Sequence, residues 1–264
     1  MYLFILLMIM GMNVPAQENG YLMNRIKPGD ILYRDGDHQE HFVDYRQWDQ
    51  DDPPGIALGV VFYSYYGTVP CGVEGAEPGW HGWVVETGEK DSCAWAPENT
   101  ICYDSCVAKY PVEGVYTRYN PTSDPVTYGN SDTCGWQNTK RLLEFIYTGC
   151  GSELSDAVSP ALMYIFAEKN GVTDFTEKPV MRGDSWYLLS FGQLRVLYGM
   201  LGCVNTAMAA CGGLLFSEGS WHSSSEIGNN YKNANWTVAY HGAAFNTTNW
   251  QKSLKRKVRA VRSF

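Results

Sequence analysis

The stretch FSEGSWHSSSEIGNNYKNANWTVAY, Phe216–Tyr240, decides the fold. Trp221 stands in a run of small hydroxyl residues, Ser220 and Ser223–Ser225, closed by Glu226. A Gly228-Asn-Asn230 turn follows, then a second Trp-bearing run, Asn235–Tyr240. Turn residues between two such runs spell an antiparallel hairpin. Just upstream, Ser185–Leu189 reads as a short strand. Ser190-Phe-Gly-Gln193 then has the form of a capping box, in which Ser bonds a first-turn N–H and Gln reaches back. Leu194, Val196, Leu197 and Leu201 supply the apolar side of the helix it opens.

Outward from the hairpin, the N-terminal half supplies strands. Lys27–Tyr33 is a turn and a first strand, stopped by Asp35-Gly-Asp37. His38–Pro54 is polar and acid-rich and reads as a loop. Ile56–Tyr66 is β-branched and aromatic, a buried strand, and His81–Thr87 pairs with it antiparallel across a Gly- and Pro-rich connection. Asn138–Tyr147 is a short amphipathic helix. Ser159–Asn170 has Ser at the cap, Pro160 at the first helical position and Gly171 past the end, the expected start-and-stop asymmetry. Ala207–Gly213 is small and loose. Arg256–Phe264 is the closing strand. Few helices and a run of antiparallel strands make the class α+β.

Bulk properties exclude some functions. The chain has 264 residues, 45% of them hydrophobic and 14% aromatic, which suits a globular domain. A net charge of -8 and a pI near 5.1 argue against nucleic-acid binding. The one basic run, Lys252–Arg262, reads as the solvated face of an edge strand, polyanion binding being the lesser alternative. Met1–Met12 is almost wholly apolar, and Val14-Pro15-Ala16 fits a small-residue cleavage site, so residues 1–17 read as a signal peptide without its basic start. Residues 18–26 are a flexible lead-in, and 27–264 form one domain with a loop-rich insertion around 91–133. The mature chain is expected to carry no integral membrane span. The eight cysteines of an exported chain suggest disulfides, with Cys102–Cys106 and Cys203–Cys211 compatible with local pairing. Zinc would need a second clean ligand pair, so no metal is expected.

Six segments in order carry a family resemblance: Gly29-Asp-Ile-Leu-Tyr-Arg-Asp-Gly36, Ala57-Leu-Gly-Val-Val-Phe-Tyr63, His81-Gly-Trp-Val-Val85, Trp186-Tyr-Leu-Leu-Ser-Phe-Gly-Gln-Leu194, Trp221-His-Ser-Ser-Ser-Glu226 and Val258-Arg-Ala-Val-Arg262. Together they resemble the C-terminal domain of the Legionella collagen-like protein and the related Fibrobacter succinogenes major paralogous domain, as found in exported proteins of gut Bacteroidetes. The resemblance covers nearly all of the chain after residue 26, and it lies in the order and spacing of segments that are individually unspecific. It implies a C-type-lectin-like fold of antiparallel sheets, two or three helices and long loops. The family's Leu-Pro-Ser is here Leu188-Leu-Ser190, which alters the approach to the helix cap. Its Trp-Ser-Ser-Ser/Thr-Glu is interrupted by His222, either a ligand contact or an outward strand residue.

Candidate sites follow from chemistry. Trp186, Trp221 and Trp236 are expected as core or hairpin aromatics, since buried aromatics mostly serve packing. Trp80 and Trp95, flanked by Gly and Pro, are the better surface candidates for stacking on a ligand, with His222 and Glu226 beside them. The lectin calcium signature is absent: Pro97-Glu-Asn99 has the wrong order and Asn235-Trp-Thr237 lacks the acid. No HExxH, nucleophile elbow, phosphate loop or dinucleotide fingerprint occurs, and no cofactor is implied. The expectation is an exported, non-enzymatic surface or adhesion domain with a glycan or protein partner. The alternatives are a cysteine-dependent oxidase or hydrolase, which needs a low-pKa thiol, and a structural module of a fimbria-like or envelope assembly.

Overall fold

A computed structural model of the chain describes residues 25–67, 79–96, 116–117, 134–227, 235–241, 244–250 and 253–264; for 67, 116–117, 226–227, 235–241 and 244–250 the backbone alone is described. In chain order the strands are β1 (Asp30–Arg34), β2 (Glu40–Asp44), β3 (Ile56–Gly67), β4 (Gly79–Glu86), β5 (Lys90–Ala94), β6 (Tyr116–Thr117), β7 (Tyr187–Leu188), β8 (Gly219–Ile227), β9 (Asn235–His241), β10 (Ala244–Trp250), β11 (Lys255–Val258) and β12 (Ala260–Ser263). The helices are α1 (Gly135–Glu144), α2 (Pro160–Met163), α3 (Phe191–Gly199) and α4 (Leu201–Ala210); α1 and α2 each run on into a wider π turn.

Two sheets result, ordered β2-β1-β3-β4-β12-β7 and β10-β9-β8-β11-β5, with β6 pairing β8. The α+β class is as expected, as are the β3–β4 pair and the β8–β9 hairpin, in which Trp221 faces Val238. The first sheet is strongly curled. Flat, it would hold β2 and β12 about 19 Å apart, four strand spacings. Instead the Phe42 and Phe264 rings lie 4.7 Å apart and Arg262 reaches Glu40.

One antiparallel ribbon passes through both sheets. β4 lies beside β12 in the first, and β5 lies beside β11 in the second. Thr87–Glu89 carries one strand across, and Arg259 carries the other back at the same level. The basic run is therefore not an edge strand: β11 lies between β8 and β5, and β12 between β4 and β7. Three of its charges are answered within the protein, Lys257 and Arg259 by Glu89 and Arg262 by Glu40.

The capping box is formed: the Ser190 side chain accepts from Gln193 N–H, and the Gln193 side chain accepts from Ser190 N–H at 2.9 Å. The hydroxyl run of β8 completes it, because Phe191 N–H donates to Ser225 Oγ at 2.9 Å and Ser224 N–H donates to Leu189 O at 2.8 Å. Helix α1 abuts the same cap. A Cβ on Gly135 would sit 2.3 Å from Gln193 Oε1 and 2.8 Å from Ser190 N, so only glycine fits there. Ser159 caps α2 with Pro160 next, and Gly171, at φ +68°, ends its π turn as the sequence indicates.

Two local readings are corrected and one strand is added. His38–Pro54 contains β2 and a 3-10 turn, Tyr45–Gln47. Ala207–Gly213 is mostly the last turn of α4, whose Ala207 and Met208 are buried. A further strand, β10, extends the hairpin into a three-stranded meander.

Candidate functional site

Where the ribbon changes sheets, a polar cluster replaces the apolar core. Arg259 is fully buried. Its Nε donates to Glu89 Oε2 at 3.2 Å, one terminal nitrogen donates to Leu214 O at 2.7 Å, and its guanidinium lies 4.0 Å from the Phe216 ring centroid. Glu89 also accepts from Lys257 Nζ at 2.8 Å and Trp221 Nε1 at 3.3 Å. Burial pushes its carboxyl up, but Lys257 and Arg259 together outweigh that and hold it below the usual range. Three residues earlier, Glu86 accepts from Tyr164 Oη at 2.6 Å and Ala260 N–H at 2.6 Å, and pairs with Lys169. Burial raises the Glu86 carboxyl. Every one of these carboxylates has protein partners, which is what a structural cluster requires.

The residues singled out for ligand contact divide. Trp95 is buried at 1% exposure, in the core just beyond β5, and is no surface platform. Its neighbour Pro97 suggests a loop tip, but the Trp95 ring packs into the core. His222 is fully buried; Nε2 lies 3.0 Å from Cys93 O and 3.2 Å from Leu254 O. Both are acceptors, so Nε2 carries the proton and the ring ties β8 to its neighbours. It is neither a ligand contact nor an outward residue. Trp186 and Trp221 lie in the buried core. The side chains of Glu226 and Trp236 lie outside the described residues, as do Cys102, Cys106, residues 1–24, most of the 91–133 segment and the Gly228–Asn230 turn.

Cys203 and Cys211 are separate thiols. They stand at the third position and the C-cap of α4, and eight helical residues span about 12 Å, whereas a disulfide needs Cα atoms within about 7 Å. Burial raises both thiols, and it pushes Cys93 up to about 12. None of these three is the low-pKa nucleophile of the thiol-enzyme reading. Among the described residues no three His, Cys, Asp or Glu converge on a metal position, and no helix is long and apolar enough to cross a membrane.

Two surface features remain. The far end of the β3–β4 hairpin is aromatic: Tyr63 stacks on Trp83 at 4.7 Å, Tyr65 approaches His81, and the exposed Tyr66 meets Trp80 edge-on at 5.6 Å. Trp80 is half-buried, with the Arg25 guanidinium 5.5 Å from its ring centroid. At the opposite end of β3, a cavity of about 550 Å³ is lined by Trp48, Ile56, Ala57, Cys211 and Leu214. Ile56 and Leu214 are 71% and 54% exposed, and Leu215 beside them is 49% exposed. Clustered exposed apolar side chains mark interaction surfaces, and no sequence signal placed these three together.

The architecture defines an α+β protein of two antiparallel-rich sheets joined by a shared ribbon. In that form it is similar to a solved fimbrial protein from Bacteroides ovatus ATCC 8483, with a TM-score of 0.58, 17% sequence identity and 90% of this chain covered. The match takes in 48% of that protein, so this chain spans about half its length. No protein-family model matches the chain, and no curated protein matches it in sequence.

Proposed function

We propose that the chain is an exported, non-enzymatic module of a fimbria-like surface assembly, working through protein–protein contact. The observation that carries this is the likeness of nine-tenths of its fold to a fimbrial protein. The exposed Ile56, Leu214 and Leu215 around the Trp48 cavity supply an apolar surface of the kind a protein partner covers. The raised thiols and the polar clusters already satisfied within the protein favour a structural role over catalysis. The leader-like N-terminus supports export, and the ordered segments of the sequence support a lectin-like variant of the α+β fold. Adhesion to glycans is the second reading, favoured by Tyr66 and Trp80 at the hairpin end.

The test is cross-linking on intact host cells followed by mass spectrometry. The chain should be accessible to protease from outside and cross-linked to a recurrent surface protein or to further copies of itself. Ile56→Asp with Leu214→Asp should abolish that cross-link while leaving the melting temperature near wild type. A soluble, uncross-linked periplasmic pool would overturn the proposal.

A further inference from the structure

We infer that the Trp48 cavity and the exposed leucines beside it take a cationic segment of a protein partner, one that carries an apolar side chain between lysines or arginines. The inference rests on the reading of this face as a protein-contact surface and names the chemistry of what it contacts.

The cavity has an uncharged lining, part of it bare glycine backbone at Gly55, Gly88, Gly212 and Gly213. Backbone without side chains lets another chain approach closely. The walls are held in place. Gln50 Nε2 donates to Ala209 O at 2.6 Å and ties the 48–53 loop to the end of α4. Gly213 N–H donates to Met208 O and Leu214 N–H to Thr87 O, each at 2.8 Å. The buried Arg259 donates to the carbonyls of both Leu214 and Leu215. The two leucines are therefore exposed on a backbone that is fixed beneath them. Apolar side chains set out in this way lower the ordering cost of association.

Charge decides what covers them. Asp49, Asp51 and Asp52 lie between the lining residues Trp48 and Pro53, and all three are exposed. None forms an ion pair among the described residues. Their one hydrogen bond to each other is local, Asp51 N–H to Asp49 Oδ1 at 3.0 Å. Cations on neighbouring elements are already answered, Arg34 by Glu40, Arg46 by Asp44 and Lys257 by Glu89. The face is an apolar cavity with an unanswered acidic rim. A cationic segment is steered to such a rim and pairs with it, while its apolar side chain fills the centre. At a net charge of -8, another copy of this chain is the less favoured occupant.

The experiment is NMR and fluorescence-anisotropy titration of the purified chain with a short capped peptide that sets leucine and phenylalanine between lysines. Controls are the same peptide with glutamate for lysine, and with serine for the apolar residues. The cationic apolar peptide should bind, each control should bind at least about tenfold more weakly, and added salt should loosen the complex. Asp49→Asn, Asp51→Asn and Asp52→Asn together should weaken binding about tenfold with an unchanged melting temperature, since rim charges serve encounter and pairing. Leu214→Ser should weaken it as well, which places the peptide at the cavity. A cationic peptide that fails to bind, or that binds the triple variant as tightly as wild type, overturns the inference. So does equal binding of the glutamate peptide. Equal binding of the serine peptide, or full binding by Leu214→Ser, reduces the effect to simple polycation attraction and also overturns it. Self-association of the chain through this face assigns it to a second copy, with the same result. In each of those cases the cell-surface cross-link remains a separate readout: its loss in Ile56→Asp with Leu214→Asp keeps the assembly reading and removes only this inference.

Discussion

Arg259 and Glu89, 170 positions apart, meet through a 3.2 Å hydrogen bond at the point where each of their strands leaves one sheet for the other. The pair joins the two crossings of the ribbon, and Lys257, Trp221 and the Leu214 carbonyl complete the cluster. A buried guanidinium with its acceptors in place is tolerable, but a cluster with its centre removed is not.

Arg259→Ala should therefore lower stability by about 3–5 kcal/mol, the cost of breaking a buried charged network. Glu89→Gln should cost less, because Arg259 keeps its carbonyl acceptors. Urea unfolding of both variants checks the order. A loss below about 1 kcal/mol for Arg259→Ala would show that the cluster does not hold the sheets together.

Arg262 and Glu40 give a pH signature. Hydrogen bonds from Arg262, more than the burial that opposes them, hold the Glu40 carboxyl below its ordinary 4.5. The folded state then binds fewer protons than the unfolded state near that pH, so the pair's stabilisation is complete above about pH 5 and fades as pH falls through the depressed value. Arg262→Gln should cost about 1.5–3 kcal/mol at pH 7, and the gap from wild type should narrow by pH 3. A gap independent of pH would contradict the pairing.

At the helix cap, Ser225→Ala should cost about 1–3 kcal/mol by stranding the Phe191 N–H in a buried site. Gly135→Ala should cost a similar amount, because the new methyl meets Gln193 and the Ser190 backbone. Thermal denaturation reads both. If Gly135→Ala is neutral, α1 does not dock on the cap as closely as described.

Cys93, Cys203 and Cys211 should resist alkylation. With all three thiols raised by burial, iodoacetamide at pH 8 should label them far more slowly in the native protein than in urea, as peptide mapping would show. Rapid native labelling of Cys203 or Cys211 would revive the thiol chemistry.

What the sequence made legible was local and strongly signalled. The Ser190–Gln193 box, Ser159-Pro160, and the Trp221 hairpin are patterns whose physics acts over a few residues. The second half of α4 was hidden because Ala207–Ala210 carries little amphipathic contrast, so small residues packed under a sheet read as loose. Strand β2 was hidden by its charged ends, Glu40 and Asp44, which face partners rather than water. Arg259 sits among lysines and arginines and reads as solvent-facing. Only the crossing of the ribbon, a relationship between positions far apart in the chain, buries it. Trp95, beside a proline, and His222, set among serines in a strand, misled because sequence neighbours say nothing about what packs on a ring. Trp80, by contrast, is half-buried, beside the exposed Tyr66 at the end of β3.

The placement of β12 between β4 and β7 bears on how such a chain is made. The first sheet cannot be completed by residues near one another in sequence, because its interior position waits for Ala260–Ser263. Until that strand arrives, β4 has an open edge and Glu86 lacks the Ala260 N–H. Pairings across so many residues form slowly. Until Ala260–Ser263 arrives, β4 and β7 stay unjoined, so the first sheet locks in one late step rather than strand by strand.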